Sequence, residues 1–487
     1  MLFNSYEFIL LFLPITIISY FFILKYKYVF LSKILLISVS LLFYSWWNIN
    51  HLPLLIGSIL MNYYISYSLS SDNIWILSKK WILFSGIFLN ILVLSFFKYV
   101  NDSISFINVN FEITIELLEI VFPLAISFFT LQQIAFLIDT YEGLIKKQKL
   151  IDYFIFVTFF PQLIIGPIVH HKEMMPQFNG IRNKVKNYKN IAMGLFIFSI
   201  GLFKKVVIAD TFSEWATAGF DSSATLSLFE AWATSLSYTF QIYFDFSGYT
   251  DMAIGVALLF NVRLPINFNS PYKAVSVIDF WQRWHITLTR FITTYLYTPI
   301  VRSFKRITFE KAMLATFVAM FIAGFWHGAD LSFIMFYTMH AFALVINHYF
   351  RKFKIKLNKV LSWIITFNFV NISFIVFRAE NFEDLTKVIK GMFGFNDIIL
   401  PLYFENSMVF LLSFGVKFGG VTSNMNVSSS MYGWIIAFLF VVVFFKNSLE
   451  WSTLHLRKNF SFVFIGFLMF FSLLKLSGYS EFIYFRF

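Results

Sequence analysis

Long, uninterrupted apolar stretches recur along the whole chain, and they decide the medium in which it folds. Residues 8–24, 34–47, 52–69, 81–97, 190–203, 312–326, 331–347, 359–377, 432–445 and 460–477 are among them. A helical crossing of a bilayer needs about 20 mostly apolar residues, fewer where neighbours shield a short helix. The pattern predicts roughly ten to twelve membrane-embedded segments. Barrel strands would alternate apolar and polar positions over about ten residues, and these runs do not. The expected fold class is therefore an all-α, polytopic integral membrane protein. Composition agrees: 59% of residues are hydrophobic and 13% charged, against about 25% charged in soluble domains.

The net charge is +12, but its placement argues against nucleic acid as a partner and for a lipid bilayer. Basic residues gather in short loops: Lys25 and Lys27, Lys79 and Lys80, residues 146–149, 172–189 and 351–359, and Arg457 with Lys458. Such loops stay cytoplasmic. The loops at 48–52 and 98–112 carry little positive charge and should lie outside. Segment 8–24 then runs inward and segment 460–477 outward, which places both termini outside. The opening residues lack a basic start and a small-residue cleavage site, so 8–24 reads as a retained span. Cysteine is absent, which excludes disulfides, thiolate metal sites, cysteine nucleophiles and palmitoylation.

No linker and no internal repeat divides the sequence, and the expectation is one membrane domain over residues 1–487. Within it, FFPQLIIGPIV (residues 159–169) lies between cytoplasmic basic clusters and is broken by Pro161, Gly166 and Pro167. It reads either as a hairpin that enters and leaves by one face or as a kinked span followed by another crossing. Irregular backbone at that depth needs protein or a wet cavity around it. Residues 262–306 mix Trp, Tyr, Arg, Lys, His and Asp with moderate hydrophobicity. That mixture suits interfacial or cavity-lining helices beside the cytoplasmic loops, within reach of a soluble anionic donor.

Ionisable residues inside apolar runs are costly and are functional candidates by default. His327, in FIAGFWHGADLSFIMF, is the sharpest case. A neutral imidazole can act as a general base near neutral pH. Asp330, three residues on, would share its face on a continuous helix and orient a ring nitrogen. A histidine satisfied by a neighbouring helix explains the position equally well. His285, in WQRWHITLTR between Arg283 and Arg290, reads as interfacial or structural. Asp245 and Asp251 either line a cavity or pair with lysine or arginine. His340 and His348 fit helix packing, and His51, His170, His171 and His455 read as loop residues without chemistry. No metal-ligand spacing and no phosphate-cradling glycine loop is present, so no metal or bound cofactor is expected.

Five ordered segments then carry a specific resemblance: PLAISFFTLQQIAFLID (123–139), FFPQLIIGPIVHH (159–171), QIYFDFSGYTDMAIG (241–255), INFNSPYKAVSVIDFWQRWHITLTR (266–290) and GFWHGAD (324–330). Together they are similar to the membrane-bound O-acyltransferases, in the branch that holds alginate and peptidoglycan O-acetylases, with the D-alanyl teichoic-acid transferases more distant. The opening MLFNSYEFILLFLP and the closing EFIYFRF extend the likeness over nearly the whole chain. The motif-bearing core lies at about residues 116–350, followed by an extracytoplasmic tail at 478–487.

The resemblance implies catalytic roles for His327 and His285, around a funnel that admits an acyl thioester from the cytoplasm and meets an outer cavity. It implies acetyl-CoA as donor substrate, with no bound cofactor. The acceptor is an envelope polysaccharide reached through an extracytoplasmic esterase-like (SGNH) acetyltransferase partner. Peptidoglycan is favoured over alginate, another exopolysaccharide or teichoic acid by the Phe-, Ile-, Asn- and Lys-heavy usage of an AT-rich genome. The terminal Phe482-x-Tyr484-x-x-Phe487 pattern resembles a motif of this branch whose tyrosine carries the acyl group, which makes Tyr484 a third catalytic candidate. An aromatic belt at the membrane surface explains the same residues. Two departures stand out. Tyr337-Thr338 replaces a common Trp-Gly, and Val301-Arg302 replaces glycines; both bear on local packing and donor contacts. A transporter is the rival class, but alternating access favours two related halves, and no such repeat exists.

Overall fold

The computed structural model describes residues 1–71, 78–146, 148–328, 330–455, 459–476 and Ile483. Helices dominate, as the apolar runs require. The first four are α1 (Leu13–Lys25, extended upstream by a π-turn at Glu7–Phe12), α2 (Val29–Ser45), α3 (Leu52–Ser70) and α4 (Lys79–Phe111). Helix α5 (Ile126–Tyr141) leads into three short pieces, α6 (Leu150–Thr158), α7 (Phe160–Leu163) and α8 (His171–Asn179). The centre is built from α9 (Tyr188–Phe203), α10 (Asp210–Thr217) and α11 (Leu228–Leu259). Short helices α12 (Val277–Trp281), α13 (Ile286–Phe291) and α14 (Thr298–Ser303) follow. Then come α15 (Phe309–His327), α16 (Leu331–Lys352), α17 (Lys359–Arg378) and α18 (Phe382–Met392). The last three are α19 (Ser430–Phe444), α20 (Ser448–His455) and α21 (Asn459–Lys475).

Among the described residues, seven helical segments are long and apolar enough to cross a bilayer, and three shorter apolar helices accompany them. Each coincides with one of the apolar runs read from the sequence. This is a multi-pass, essentially all-α membrane protein. A small exception is the parallel pair β1 (Ile398–Pro401) and β2 (Val416–Gly419), which lies in the long connection between α18 and α19.

The broken segment at 159–169 resolves as a hairpin. Helix α6 is 9 residues long, about 13 Å, too short to cross. Lys33 Nζ meets Asp152 Oδ1 at 2.5 Å, at the start of α6, and Asn179 Oδ1 at 3.1 Å, at the end of α8. One ammonium thus holds both ends of the excursion at one level.

Helix α11 is absent from the apolar runs because Asp, Ser, Thr and Gln dilute it, yet every residue from Ser237 to Leu259 is buried. Its polar residues face protein. The capping box of Ser227 and Glu230 fixes its start, satisfying backbone donors that have no partner in the helix. The core sits where α11 meets α9. A Cβ built on Gly194 would lie 2.6 Å from the Gly255 carbonyl oxygen, and one on Gly201 2.6 Å from that of Gly248. Both helices carry glycine at the same seven-residue interval, and the two backbones touch. Small residues permit such approach where no hydrophobic force drives helices together.

Just past this contact α9 widens into a π-turn at Lys204–Ala209. Lys204 Nζ reaches Asp251 Oδ2 at 2.7 Å and Lys205 Nζ reaches Asp245 Oδ1 at 2.8 Å. Of the two readings of these aspartates, pairing with lysine is the one that holds. The glycine contact yields a test. Gly248→Ala places a Cβ 2.8 Å from the Gly201 carbonyl oxygen and should lower stability by about 1–3 kcal/mol. Gly433→Ala, with nothing within 4 Å, should leave it unchanged or raise it. Thermal unfolding of the detergent-solubilised variants checks this, and equal melting of the two would remove the close contact from the account.

Candidate active site

His327 is the last residue of α15 and is buried, at 3% exposure. The helix end is held from α4: Lys98 Nζ donates to the Trp326 carbonyl at 2.6 Å, and Tyr99 Oη donates to that of Phe325. Carbonyls at a helix C-terminus have no partner within the helix and carry partial negative charge, so an ammonium there both caps and stabilises. Trp326 packs edge-on against the imidazole, with ring centres 4.6 Å apart.

The expected role of Asp330 does not survive. Helix α15 stops at His327, Gly328 is extended, and Asp330 opens α16. Because the helix breaks between them, the same-face relation fails. The hydrogen-bond partner of Nε2 is instead Tyr337, one of the departures from the family pattern. Its Oη lies 2.6 Å from Nε2, and its ring stacks on the imidazole at 5.0 Å. Residues ten apart meet because α15 and α16 form an antiparallel hairpin.

His285 is buried, at 1% exposure. Its neighbours made the setting look amphipathic, but Arg283 pairs with Asp279 and Arg290 makes a two-pronged bond to Glu173, while the imidazole points inward. The residue occupies the turn between α12 and α13 with φ 43° and ψ 52°, the left-handed region. That conformation costs a non-glycine residue about 1–2 kcal/mol, and it persists where surrounding bonds over-determine it. Here they do. Asn269 N–H donates to the Arg283 carbonyl at 2.9 Å, Ile286 N–H to the Asn267 carbonyl at 3.0 Å, and Thr289 N–H to that of His285 at 3.0 Å. His285 Nδ1 faces Asn267 Oδ1 at 3.1 Å, and Phe246 of α11 packs edge-on at 4.8 Å.

The surroundings of the two histidines meet. Trp281 of α12 joins their scaffolds: its ring packs 5.8 Å from Tyr337, and its Nε1–H donates to His340 Nδ1 at 3.1 Å. Since His340 Nδ1 accepts, Nε2 carries the hydrogen and donates to Ser373 Oγ at 3.0 Å, whose own hydroxyl donates to the Val370 carbonyl. Both nitrogens of His340 are thereby committed to packing, as its helical setting suggested.

His170, His171 and His51 are buried; His170 lies in the loop before α8, as expected, while His171 opens that helix. The hairpin folds back under α5 and draws the first two inward. His170 Nδ1 lies 2.9 Å from Tyr295 Oη, which donates to Asp139 Oδ1 at 2.8 Å, and His171 packs between Phe136 and Phe156. Tyr484 lies outside the described residues. Its neighbour Ile483 is half-buried, and Ile483 N–H donates to Asp245 Oδ2 at 3.0 Å. Among the described residues, no group of three or more His, Asp or Glu side chains could hold a metal.

The profile of the membrane-bound O-acyltransferases matches residues 112–382, which takes in both histidines together with Tyr337 and Asn267. The chain belongs to the membrane-bound O-acyltransferase family. Among individual relatives, it is 42% identical to the peptidoglycan O-acetyltransferase of Helicobacter pylori, over 100% of this chain and 98% of that one. It is 35% identical to a probable alginate O-acetylase of Pseudomonas aeruginosa, over 81% of this chain and 75% of the relative. The teichoic acid D-alanyltransferase of Streptococcus thermophilus is 25% identical over 70% of the chain.

Tyr337→Phe keeps the ring stacked on His327 and deletes only the hydroxyl. A net hydrogen bond is worth about 0.5–1.5 kcal/mol, so melting should fall slightly, and acyl transfer by the purified variant should slow roughly 2- to 10-fold per folded molecule. A full rate alongside lowered melting would reduce Tyr337 to a packing residue.

Proposed function

We propose that this protein is a membrane O-acetyltransferase that moves an acetyl group from cytoplasmic acetyl-CoA across the membrane for O-acetylation of a cell-envelope polysaccharide, peptidoglycan foremost. The observation that carries the reading is the buried pair His327 and His285, one at a helix end and one on a strained turn, inside the segment that matches the acyltransferase family. The match to the Helicobacter pylori peptidoglycan O-acetyltransferase runs through both chains almost completely. Alginate is the second acceptor, favoured by a relative named as an alginate O-acetylase. The protein resides in the bacterial cytoplasmic membrane with both termini outside, the orientation that the basic loops favour.

The chemistry joins an acceptor hydroxyl to the thioester carbonyl. The hydroxyl oxygen forms the new C–O bond while a base takes its proton, and the C–S bond then breaks as the thiolate leaves and recovers that proton. His327 is the base, within hydrogen-bond reach of the reacting oxygen; His285 aligns it or polarises the carbonyl. The first acceptor is Tyr484, whose phenol has a pKa of about 10 and needs such a base to attack. The Ile483 N–H bond to Asp245 supports this reading, because it ties the residue next to Tyr484 to the central helix. The resulting aryl ester is an activated donor, which an extracytoplasmic esterase-like partner passes to the polymer.

His327→Ala should cut polymer acetylation by about 10²–10⁴-fold while the protein still assembles. Tyr484→Phe, which removes only a hydroxyl, should do the same and abolish an acetyl adduct on the C-terminal peptide. Ester acetate released from isolated walls, together with mass spectrometry of that peptide, reads both. Normal acetylation in a stable His327→Ala strain would end the assignment. Normal acetylation in Tyr484→Phe would leave the terminal aromatics as a membrane belt.

A further inference from the structure

We infer that Asn267 is a positioning residue that holds His285 as the Nδ1–H tautomer, leaving Nε2 as the ring nitrogen that accepts a proton. The argument follows from hydrogen-bond accounting around one amide. Asn267 Oδ1 lies 3.2 Å from Thr287 N, 2.9 Å from Thr287 Oγ1 and 3.1 Å from His285 Nδ1. A backbone N–H can only donate, so it requires oxygen, not NH₂, on that side of the amide. Thr287 Oγ1 points the same way. It accepts the Ile168 N–H at 3.1 Å, and its own hydrogen is directed at Asn267 Oδ1. The other edge of the amide exerts no opposing pull, because Asn267 Nδ2 is buried with no hydrogen-bond partner among the described residues. Turning the amide over would set its N–H groups against the Thr287 backbone N–H, which can only donate.

With the oxygen fixed, the third contact is decided. An amide oxygen has no hydrogen to give, so the bond at 3.1 Å exists only if His285 Nδ1 carries one. A neutral imidazole has a single N–H, and which nitrogen holds it is set by the bond the other makes. The lone pair therefore sits on Nε2. This bears on the proposed chemistry, on which its kinetic consequence rests. A neutral His285 in this tautomer has no Nε2–H with which to polarise a carbonyl. Of the two roles open to it, aligning His327 or polarising the carbonyl, the first is the one that remains, with Nε2 as an acceptor. The left-handed turn at 285 and the Ile286 N–H bond to the Asn267 carbonyl hold ring and amide at this spacing, so the preference is built into the backbone.

Two measurements test this. In ¹⁵N-histidine-labelled protein in lipid, the His285 signals, identified by their loss in His285→Gln, should show a protonated Nδ1 and a bare Nε2. Asn267→Leu should populate the other tautomer. A wild-type Nε2–H signal overturns the inference whatever the enzyme's substrate. In proteoliposomes given acetyl-CoA, Asn267→Leu should lower kcat per folded molecule by about 10- to 100-fold with KM for acetyl-CoA nearly unchanged. Asn267→Asp keeps an acceptor oxygen and should recover most of that loss. A merely structural amide would instead reduce the folded yield of both variants and leave kcat per folded molecule at the wild-type value. That result overturns the inference. Wild-type protein that transfers no acetyl from acetyl-CoA overturns the proposed function, and the tautomer is then decided by the ¹⁵N signals alone.

Discussion

The backbone contact between α9 and α11 sets where everything else can stand. In a bilayer the lipid tails are as apolar as leucine, so helices associate through shape and polar bonds. Two glycine pairs bring these helices to touching distance. A lysine one turn beyond then meets an aspartate across the seam without leaving the protein. Lys205 and Asp245, both almost completely shielded from solvent, could not coexist there singly: a buried ion that loses its partner costs about 3–5 kcal/mol. Asp245 also receives the Ile483 N–H, so the same seam anchors the terminal segment.

The two histidines are presented by opposite strategies. His327 rides on regular structure, a helix end gripped by α4 on one side and by its hairpin partner α16 on the other. His285 sits on irregular backbone, and its support comes from irregular backbone too. The hairpin that enters and leaves at one level brings Ile168 to Thr287, and Thr287 fixes Asn267. Proline and glycine in that hairpin free main-chain groups that a helix would have consumed. In a membrane interior such groups must find partners within the protein, and at Ile168 the partner belongs to the turn that carries the histidine.

What could be read in the sequence was whatever depends on local pattern. The spans followed from hydropathy. Charge on both flanks, with Pro161, Gly166 and Pro167 between, made the one-faced hairpin one of two readings, and pairing with lysine or arginine was one of two readings of Asp245 and Asp251. The two histidines stood out through the cost of an ionisable group in an apolar run and through the motifs around them. Helix α11 was hidden because its inward polar residues depress hydropathy, although every residue from Ser237 to Leu259 is buried. Tyr337, Asn267, Lys98 and Tyr99 gave no local signal as partners of the site. Their roles depend on which helices lie side by side, as with the 228-residue separation between Lys98 and Trp326. Asp330 was misread because a helix was assumed to continue through Gly328.

The amide of Asn267 is steered by the main-chain N–H of Thr287, and this affects how the site responds to change over generations. A side-chain donor can be lost by any of many single substitutions. A peptide N–H survives all of them except replacement by proline, the residue that lacks one. Variation at position 287 can therefore alter the hydroxyl and its link to Ile168 while the group that orients the amide stays in place. The proton address of His285 is written in the backbone, where drift in side chains does not reach it.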